Sequence, residues 1–305
     1  GVSPDKITIN PTDTGTCPWD VGTHASRGAF IACNAALAAA EKARAQIFAA
    51  AEEVFPRLAR QNLERYRTEH PDYRVPAFDV ATAAKADRFE LTDGQIVVSG
   101  APDEPWLKVD LDRLLRAIHF RGSRGEVITT AAFYEPQSEL PDWRKGVGNM
   151  SATYAYGAQG AEVEVDEETG EVRIVRMVAA HDVGKVLNPQ TLAGQAYGGL
   201  AQGVGYALYE EVLTEQGRIL NPSFTDYKIP TTHEMGFPVH LEFIETDDPA
   251  DPFGAKGVGE PGLVPTAPAI ANAIYDAVGV RIRDLPITPE KVLRALDARR
   301  AVNAR

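Results

Sequence analysis

The most unusual stretch that could bear chemistry is Gly254-Ala-Lys-Gly-Val-Gly-Glu-Pro-Gly262, which runs directly into an apolar helical pattern. Its glycines allow a ligand to approach the backbone closely. An anion there could use the free amides at the start of the following helix. It is not a Walker loop, because no Gly-Lys-Ser/Thr follows the spaced glycines, and it lacks the strand and spacing of a dinucleotide fingerprint. On the residues alone, a tight structural turn and a ligand-facing loop both stand. The turn leaves Glu260 unexplained, since nothing local requires an acid between Gly and Pro.

Two further segments invite a ligand. Gly194 to Gly205 holds five glycines in twelve residues, and each costs about 1 kcal/mol in a helix relative to Ala. Close packing against another backbone or against a bulky ligand would justify them. Gln195 and Gln202 could bond a polar ligand or be surface amides. In Asp20-Val-Gly-Thr-His-Ala-Ser-Arg27, Thr23, Ser26 and Arg27 lie at the entrance to a long helix. That setting suits a phosphate, and it equally suits an ordinary N-cap beside a solvated Arg.

Other chemistries find no support. His233-Glu234 is not a zincin motif, because Phe237 stands where the second His belongs, and the six histidines are scattered. No Gly-x-Ser-x-Gly elbow occurs. Cys17 and Cys33 are too few for an iron–sulfur cluster or a disulfide framework, which leaves a reducing compartment as the expectation. The net charge of -12 offers no basic surface for nucleic acid. No run reaches the roughly 18–20 apolar residues of a membrane span, and no signal region precedes Gly1-Val2-Ser3-Pro4. The missing initial Met suggests a trimmed chain or a piece of a larger one.

Several elements must hold these loops. A strand is expected over Lys6–Asn10. The Ala-rich stretch Gly28–Leu58 reads as a helix with Phe30, Ile31, Leu37, Ile47, Val54 and Phe55 on its buried side, continued to Arg74 by solvated charged residues. Residues 75–145 read as a peripheral lobe, with a hairpin from Phe89 to Val98 turning at Asp93-Gly94 and a helix near Leu111–His119. Strict alternation over Ala161–Asp166, then Val172–Val178, predicts a second hairpin with a charged face. A loop from His181 to Pro189 leads to a helix over Leu192–Glu211. Thr266 with Pro268, and Thr288 with Pro289, look like capped helix starts. Strands and helices mix without a βαβ rhythm, so the fold class expected is α+β, with residues 1–305 read as one large domain.

Taken in order, these pieces resemble the molybdenum hydroxylases, the family of xanthine dehydrogenases, aldehyde oxidoreductases, carbon monoxide dehydrogenases and hydroxybenzoyl-CoA reductases. The matching runs are Asp20–Arg27 with Asn34-Ala35, His181–Pro189, Gly194–Glu210, Asn221–Pro230, Lys256–Glu260, Pro265–Ile274 and Leu285–Lys291. They cover residues 1–55 and about 150–300 well, and 75–145 loosely.

The resemblance implies the C-terminal, molybdopterin-binding half of a large subunit, an α+β domain of mixed sheets with packed helices. It implies a molybdenum–molybdopterin cofactor whose metal is held by the pterin dithiolene, with no protein ligand. Glu260 falls where the family has its catalytic glutamate, a general base during insertion of water-derived oxygen at an electrophilic carbon, or the reductive counterpart on an aromatic CoA thioester. By the same resemblance Val258 and Gly259 lie against the cofactor and Gln195 bonds the pterin or its phosphate. Ala25, Ser26, Arg27 and Gly28 match the phosphate-holding loop. The Gly-Thr-x-x-Ser-Arg form, with Thr23, resembles bacterial members carrying a cytosine dinucleotide, and Arg27 suits a diphosphate by its bidentate geometry.

The family's upstream half is missing, so a second molybdopterin-binding subunit or N-terminal half is an expected partner. An iron–sulfur subunit and often an FAD subunit would carry electrons away in the cytoplasm. A catalytically silent scaffold or cofactor carrier is the alternative. Aromatic, N-heteroaromatic, purine and aldehyde substrates all stay open.

Overall fold

An Ala-rich sequence, with the highest helix propensity of any residue type, gives α1 (Gly28–Glu69), 42 residues long with Pro56 inside it. The structure, a computed structural model, describes residues 1–10, 12–121 and 125–303. The chain divides into two compact units, Gly1–Val21 with Ala35–Tyr134 and Gly22–Asn34 with Glu135–Arg305, so α1 contributes to both and the 75–145 stretch is split at Tyr134.

In the first unit, Ala51, Val54, Phe55, Leu58 and Ala59 recur at helical spacing and are buried. Leu37, expected on the buried side, is instead exposed. The charged continuation is not merely solvated either. Leu63 and Tyr66 still pack on the core, and that packing keeps the helix going to Glu69, short of Arg74. The expected strand over Lys6–Asn10 does not form; Pro4–Lys6 is a single 3-10 turn, and Ile7 and Ile9 are exposed. Apolar alternation there has no neighbouring strand to pair with.

A short α2 (Val80–Ala83) leads into the expected hairpin, β1 (Phe89–Thr92) and β2 (Gln95–Val98). Asp93 and Gly94 turn it with φ of 50° and 74°, the left-handed pair that a two-residue hairpin loop requires. β3 (Val109–Asp110) adds to β2, and α3 (Leu111–His119) closes the unit over Phe55, Ile96, Leu114 and Ile118.

The second unit is built on β4 (Gly157–Val165) and β5 (Val172–Asp182), an antiparallel hairpin. Its exposed face carries the Glu162–Arg176 and Glu164–Arg173 ion pairs, the charged face that alternation implied. β5 runs on through His181 and Asp182, which shortens the expected loop. α4 (Pro189–Leu208) starts and stops about three residues earlier than its pattern suggested. Asn188 sets the start, accepting the Thr191 amide at 3.1 Å with Pro at the first helical position. The small pair β6 (Thr214–Glu215) and β7 (Arg218–Ile219) follows, and β8 (Val239–Ile244) then returns parallel to β5.

α5 (Thr266–Val278) and α6 (Pro289–Asn303) complete the unit. Ile174, Met177, Leu200, Val204, Ile270, Ile274 and Leu296 form its core. Thr288 caps α6 as expected, accepting the Lys291 amide. Thr266 does not cap α5. It lies inside the first turn, fully buried, and its hydroxyl bonds Gln159 Oε1 at 2.7 Å. The architecture is α+β, with an antiparallel hairpin, one parallel neighbour and helices over the inner face.

Candidate functional site

The site grows from the end of β5 in the second unit. The Lys256 amide donates to Val183 O at 2.9 Å, and Ala255 bridges to Gly184, which docks the glycine loop onto the strand end. From there the loop meets the residues before α1. Gly257 has no room for a side chain, because a Cβ would collide with the Ser26 carbonyl. Ala25 and Ser26 are in the left-handed region, with φ of 52° and 56°, a conformation that costs a non-glycine residue about 1–2 kcal/mol.

That strained turn is used. The Ser26 hydroxyl donates to Glu260 Oε2 at 3.0 Å and accepts the Glu260 amide at 2.7 Å. Gln195 on α4 donates its amide to Gly259 O at 2.7 Å, and Gln159 on β4 donates to Gly262 O at 2.8 Å. The glycines of α4 find their reason at three positions, one of them Gly205, where a Cβ would collide with the Glu210 carboxylate. A Cβ on Gly199 would sit 3.0 Å from the Gly262 backbone, and one on Gly203 would collide with Thr266. The α4 backbone therefore packs on the loop backbone at Gly262 and on the Thr266 side chain at the start of α5. Gly194 and Gly198 have nothing within 4 Å.

These residues border a cleft of about 570 Å³, lined among others by Ala25, Ser26, Arg27, Phe30, Thr153, Tyr156, Lys256, Glu260 and Val264. Glu260 is exposed in it. Arg27 Nε is buried without a hydrogen-bond partner, and a buried guanidinium nitrogen left unpaired is costly. Beside it stands the N-terminal end of α1, the positive end of the helix dipole. An unmet cationic donor and a helix start facing one cleft fit a phosphate-bearing group.

Buried ionisable groups surround the loop. Asp182 is pushed up by burial, but hydrogen bonds from Lys256, Thr246 and the Gly184 amide outweigh this and hold it below the usual carboxylate value. Asp251 goes the other way, raised chiefly by burial. His181 is lowered by burial, and neither ring nitrogen has a partner.

Of the residues expected at a site, Ala25, Ser26, Arg27 and Glu260 come together in the cleft, whereas Gln195 stays outside it and bonds Gly259 O, next to Glu260 in the chain. Thr23, Gly28, Val258 and Gly259 do not line it. Thr23 packs on Gly28, and Val258 borders a small enclosed space with His181, Leu192 and Phe243. Nothing in the local pattern signals that Ser26 bonds Glu260, or that Tyr156 and Thr153 line the cleft. The described residues contain no group of three or more His, Cys, Asp or Glu able to hold a metal ion, and no helix long and apolar enough to cross a membrane.

Comparison with known proteins gives the chain its family. The molybdopterin cofactor-binding domain family matches residues 1–236. The gamma subunit of the 6-hydroxypseudooxynicotine dehydrogenase complex of Paenarthrobacter nicotinovorans is 33% identical over 301 residues, 95% of this chain and 32% of that protein. The putative xanthine dehydrogenase molybdenum-binding subunit XdhA of Escherichia coli K12 is 29% identical over 94% of the chain and 33% of its own length. The crystal structure of quinoline 2-oxidoreductase from Pseudomonas putida 86 superposes with a TM-score of 0.69 at 26% identity, covering 93% of this chain and 32% of that one. The chain thus spans about a third of the length of these relatives. It belongs to the molybdopterin cofactor-binding domain family, within the molybdenum hydroxylases.

Proposed function

We propose that this chain is the cofactor-binding part of a molybdenum-dependent hydroxylase or dehydrogenase, with Glu260 as its general base. The observation that carries the reading is the pair of hydrogen bonds between Ser26 and Glu260, which fixes an otherwise unexplained acid at the mouth of a cleft. When bound, the molybdenum cofactor supplies a two-electron redox centre at which water-derived oxygen enters the substrate. The chain's own residues divide the remaining tasks. Glu260 takes a proton at its carboxylate. Ser26 keeps that carboxylate aimed, and Gln195 steadies the neighbouring Gly259 carbonyl.

Arg27 and the start of α1 would hold the phosphate end of the cofactor, in its cytosine dinucleotide form. Arg27 Nε needs a partner that this chain does not offer, and a planar fork binds a diphosphate in two places. Gly259 and Val258 would back the loop, with Thr23 and Gly28 shaping the turn beneath the phosphate. A silent carrier has no use for a hydroxyl committed twice to one glutamate.

The relatives are about three times as long as this chain, and Glu260 is open to solvent here. A complementary molybdopterin-binding polypeptide would close the cleft and shape the pocket for an aromatic, N-heteroaromatic or aldehyde substrate. Iron–sulfur and flavin subunits would drain the electrons.

Glu260→Gln in the assembled enzyme is expected to lower kcat by about 10²–10⁴-fold with molybdenum and pterin content unchanged. Turnover within a few-fold of the parent enzyme rejects the base assignment.

A further inference from the structure

One ion pair differs in kind from the rest. Lys256 Nζ lies 2.7 Å from Asp182 Oδ2, with side chains only 7% and 9% exposed, whereas the other ion pairs among the described residues leave both partners at least 30% exposed. Two charges removed from water are expensive, and a well-packed apolar pair is often as stable or more so. A buried pair of this kind is better explained by the geometry it enforces than by net stability.

The geometry here converges on the loop that carries the acid. Asp182 Oδ1 accepts the Thr246 hydroxyl at 2.6 Å and the Gly184 amide at 3.1 Å. Lys256 Nζ also donates to Tyr154 O at 3.0 Å, and its ammonium stands 5.6 Å from the centre of the Tyr156 ring. One pair thereby ties together the end of β5, the residues after β8, the residues before β4 and the start of the glycine loop. Lys256 is four residues ahead of Glu260, and the stretch between them is Gly-Val-Gly. Such a stretch has little conformational preference of its own, so it needs fixed points at both ends. Ser26 supplies one at Glu260, and Lys256 is the other.

We propose that Asp182 and Lys256 form a positioning pair for Glu260, holding the near end of its loop so that the carboxylate has one place in the cleft. The proposal rests on the reading of Glu260 as the base. Neither residue needs to touch the substrate, since both act through the loop backbone.

Hydrogen exchange on the purified chain tests the anchoring without any cofactor or substrate. In Lys256→Met and in Asp182→Asn, amides of residues 254–260 are expected to exchange at least about tenfold faster, with the β4–β5 hairpin over 161–176 as protected as in the parent. If a single variant leaves an unpaired buried charge and fails to fold, the double variant Lys256→Met/Asp182→Leu removes both charges, and the same loop-specific acceleration is expected of it. Folded variants with an unchanged loop overturn the proposal.

In the assembled enzyme, with an aldehyde or N-heteroaromatic substrate chosen by screening, Lys256→Met is expected to lower kcat more than tenfold with KM near that of the parent. Added to Glu260→Gln, it should cost little more, because a displaced base and a missing one have the same effect. Losses that multiply would show an action not routed through Glu260 and would also overturn it. Failure of the base assignment looks different: Glu260→Gln stays active while the loop still loosens on loss of the pair.

Discussion

At Ser26 a left-handed backbone places one hydroxyl against both the carboxylate and the amide of Glu260. A hydrogen bond to a charged group contributes about 1.5–3 kcal/mol, and about 1.4 kcal/mol is tenfold in rate. On the proposed base role, Ser26→Ala is therefore expected to reduce kcat of the assembled enzyme by about 10–100-fold and to lower the thermal midpoint by about a few degrees; steady-state kinetics beside a melting curve checks both.

Asp251 offers a pH test at the same scale. Burial raises its carboxyl above the usual 3.8, helped by Asp248 and Asp182 and opposed by the Thr153 hydroxyl and Lys256. A carboxyl raised in the folded state keeps its proton to higher pH than the unfolded chain does. Folding is thus penalised increasingly as pH rises from about 3.8 through the raised folded value, and the penalty is complete above it. Asp251→Asn should be more stable than the parent near pH 7, with the gain shrinking to nothing as pH falls toward about 4. Denaturant midpoints across that range measure the difference.

Glu260 stood out in the sequence because nothing local requires an acid among glycines, while Arg27 and Gln195 also had ordinary readings, as a solvated Arg beside an N-cap and as a surface amide. The hold of Ser26 on Glu260 did not, since a hydrogen bond between residues 234 positions apart leaves no mark in the local pattern.

Among the elements, α4 shows how packing reverses the effect of one substitution. Gly→Ala in a helix gains about 1 kcal/mol from propensity alone. At Gly194 and Gly198 nothing stands within 4 Å of the added carbon, so Ala there should stabilise the isolated chain by up to about 1 kcal/mol. At Gly203 the carbon collides with buried Thr266, and overpacking of about 1–3 kcal/mol outweighs the propensity gain. Urea titration of the three variants should show opposite signs; a Gly203→Ala chain as stable as the parent would contradict the close packing of α4 on α5.

Both hairpins and α1 were readable at this scale because alternation and Ala content act locally. The strand expected at Lys6–Asn10 was misread because alternation says nothing about whether a partner strand exists. Thr266 looked like a cap from its neighbours, yet Gln159 on β4 claims its hydroxyl from more than a hundred positions away.

For the molecule as a whole, the exposed apolar surface matters most. Leu140, Trp143, Tyr156, Phe224 and Val264 are 68–96% exposed, and Tyr156 and Val264 line the cleft. On the proposed function, the two beside the cleft are the ones a complementary polypeptide would cover. Supplying the complementary molybdopterin-binding polypeptide is expected to slow hydrogen exchange around Tyr156 and Val264 and to give one co-eluting species by size exclusion. Separate elution with no added protection would count against that partner.

The Ser26–Glu260 contact joins residues 234 positions apart. Bringing such distant segments together must meet its loop-closure entropy before the contact returns anything. The β4–β5 hairpin can fold from neighbours alone, but the acid takes its station only when the chain's beginning has come home against its far end. A chain without its first thirty residues would lack Ser26 and with it both hydrogen bonds that hold Glu260. On the proposed reading, the base is in place only once both ends of the chain have met.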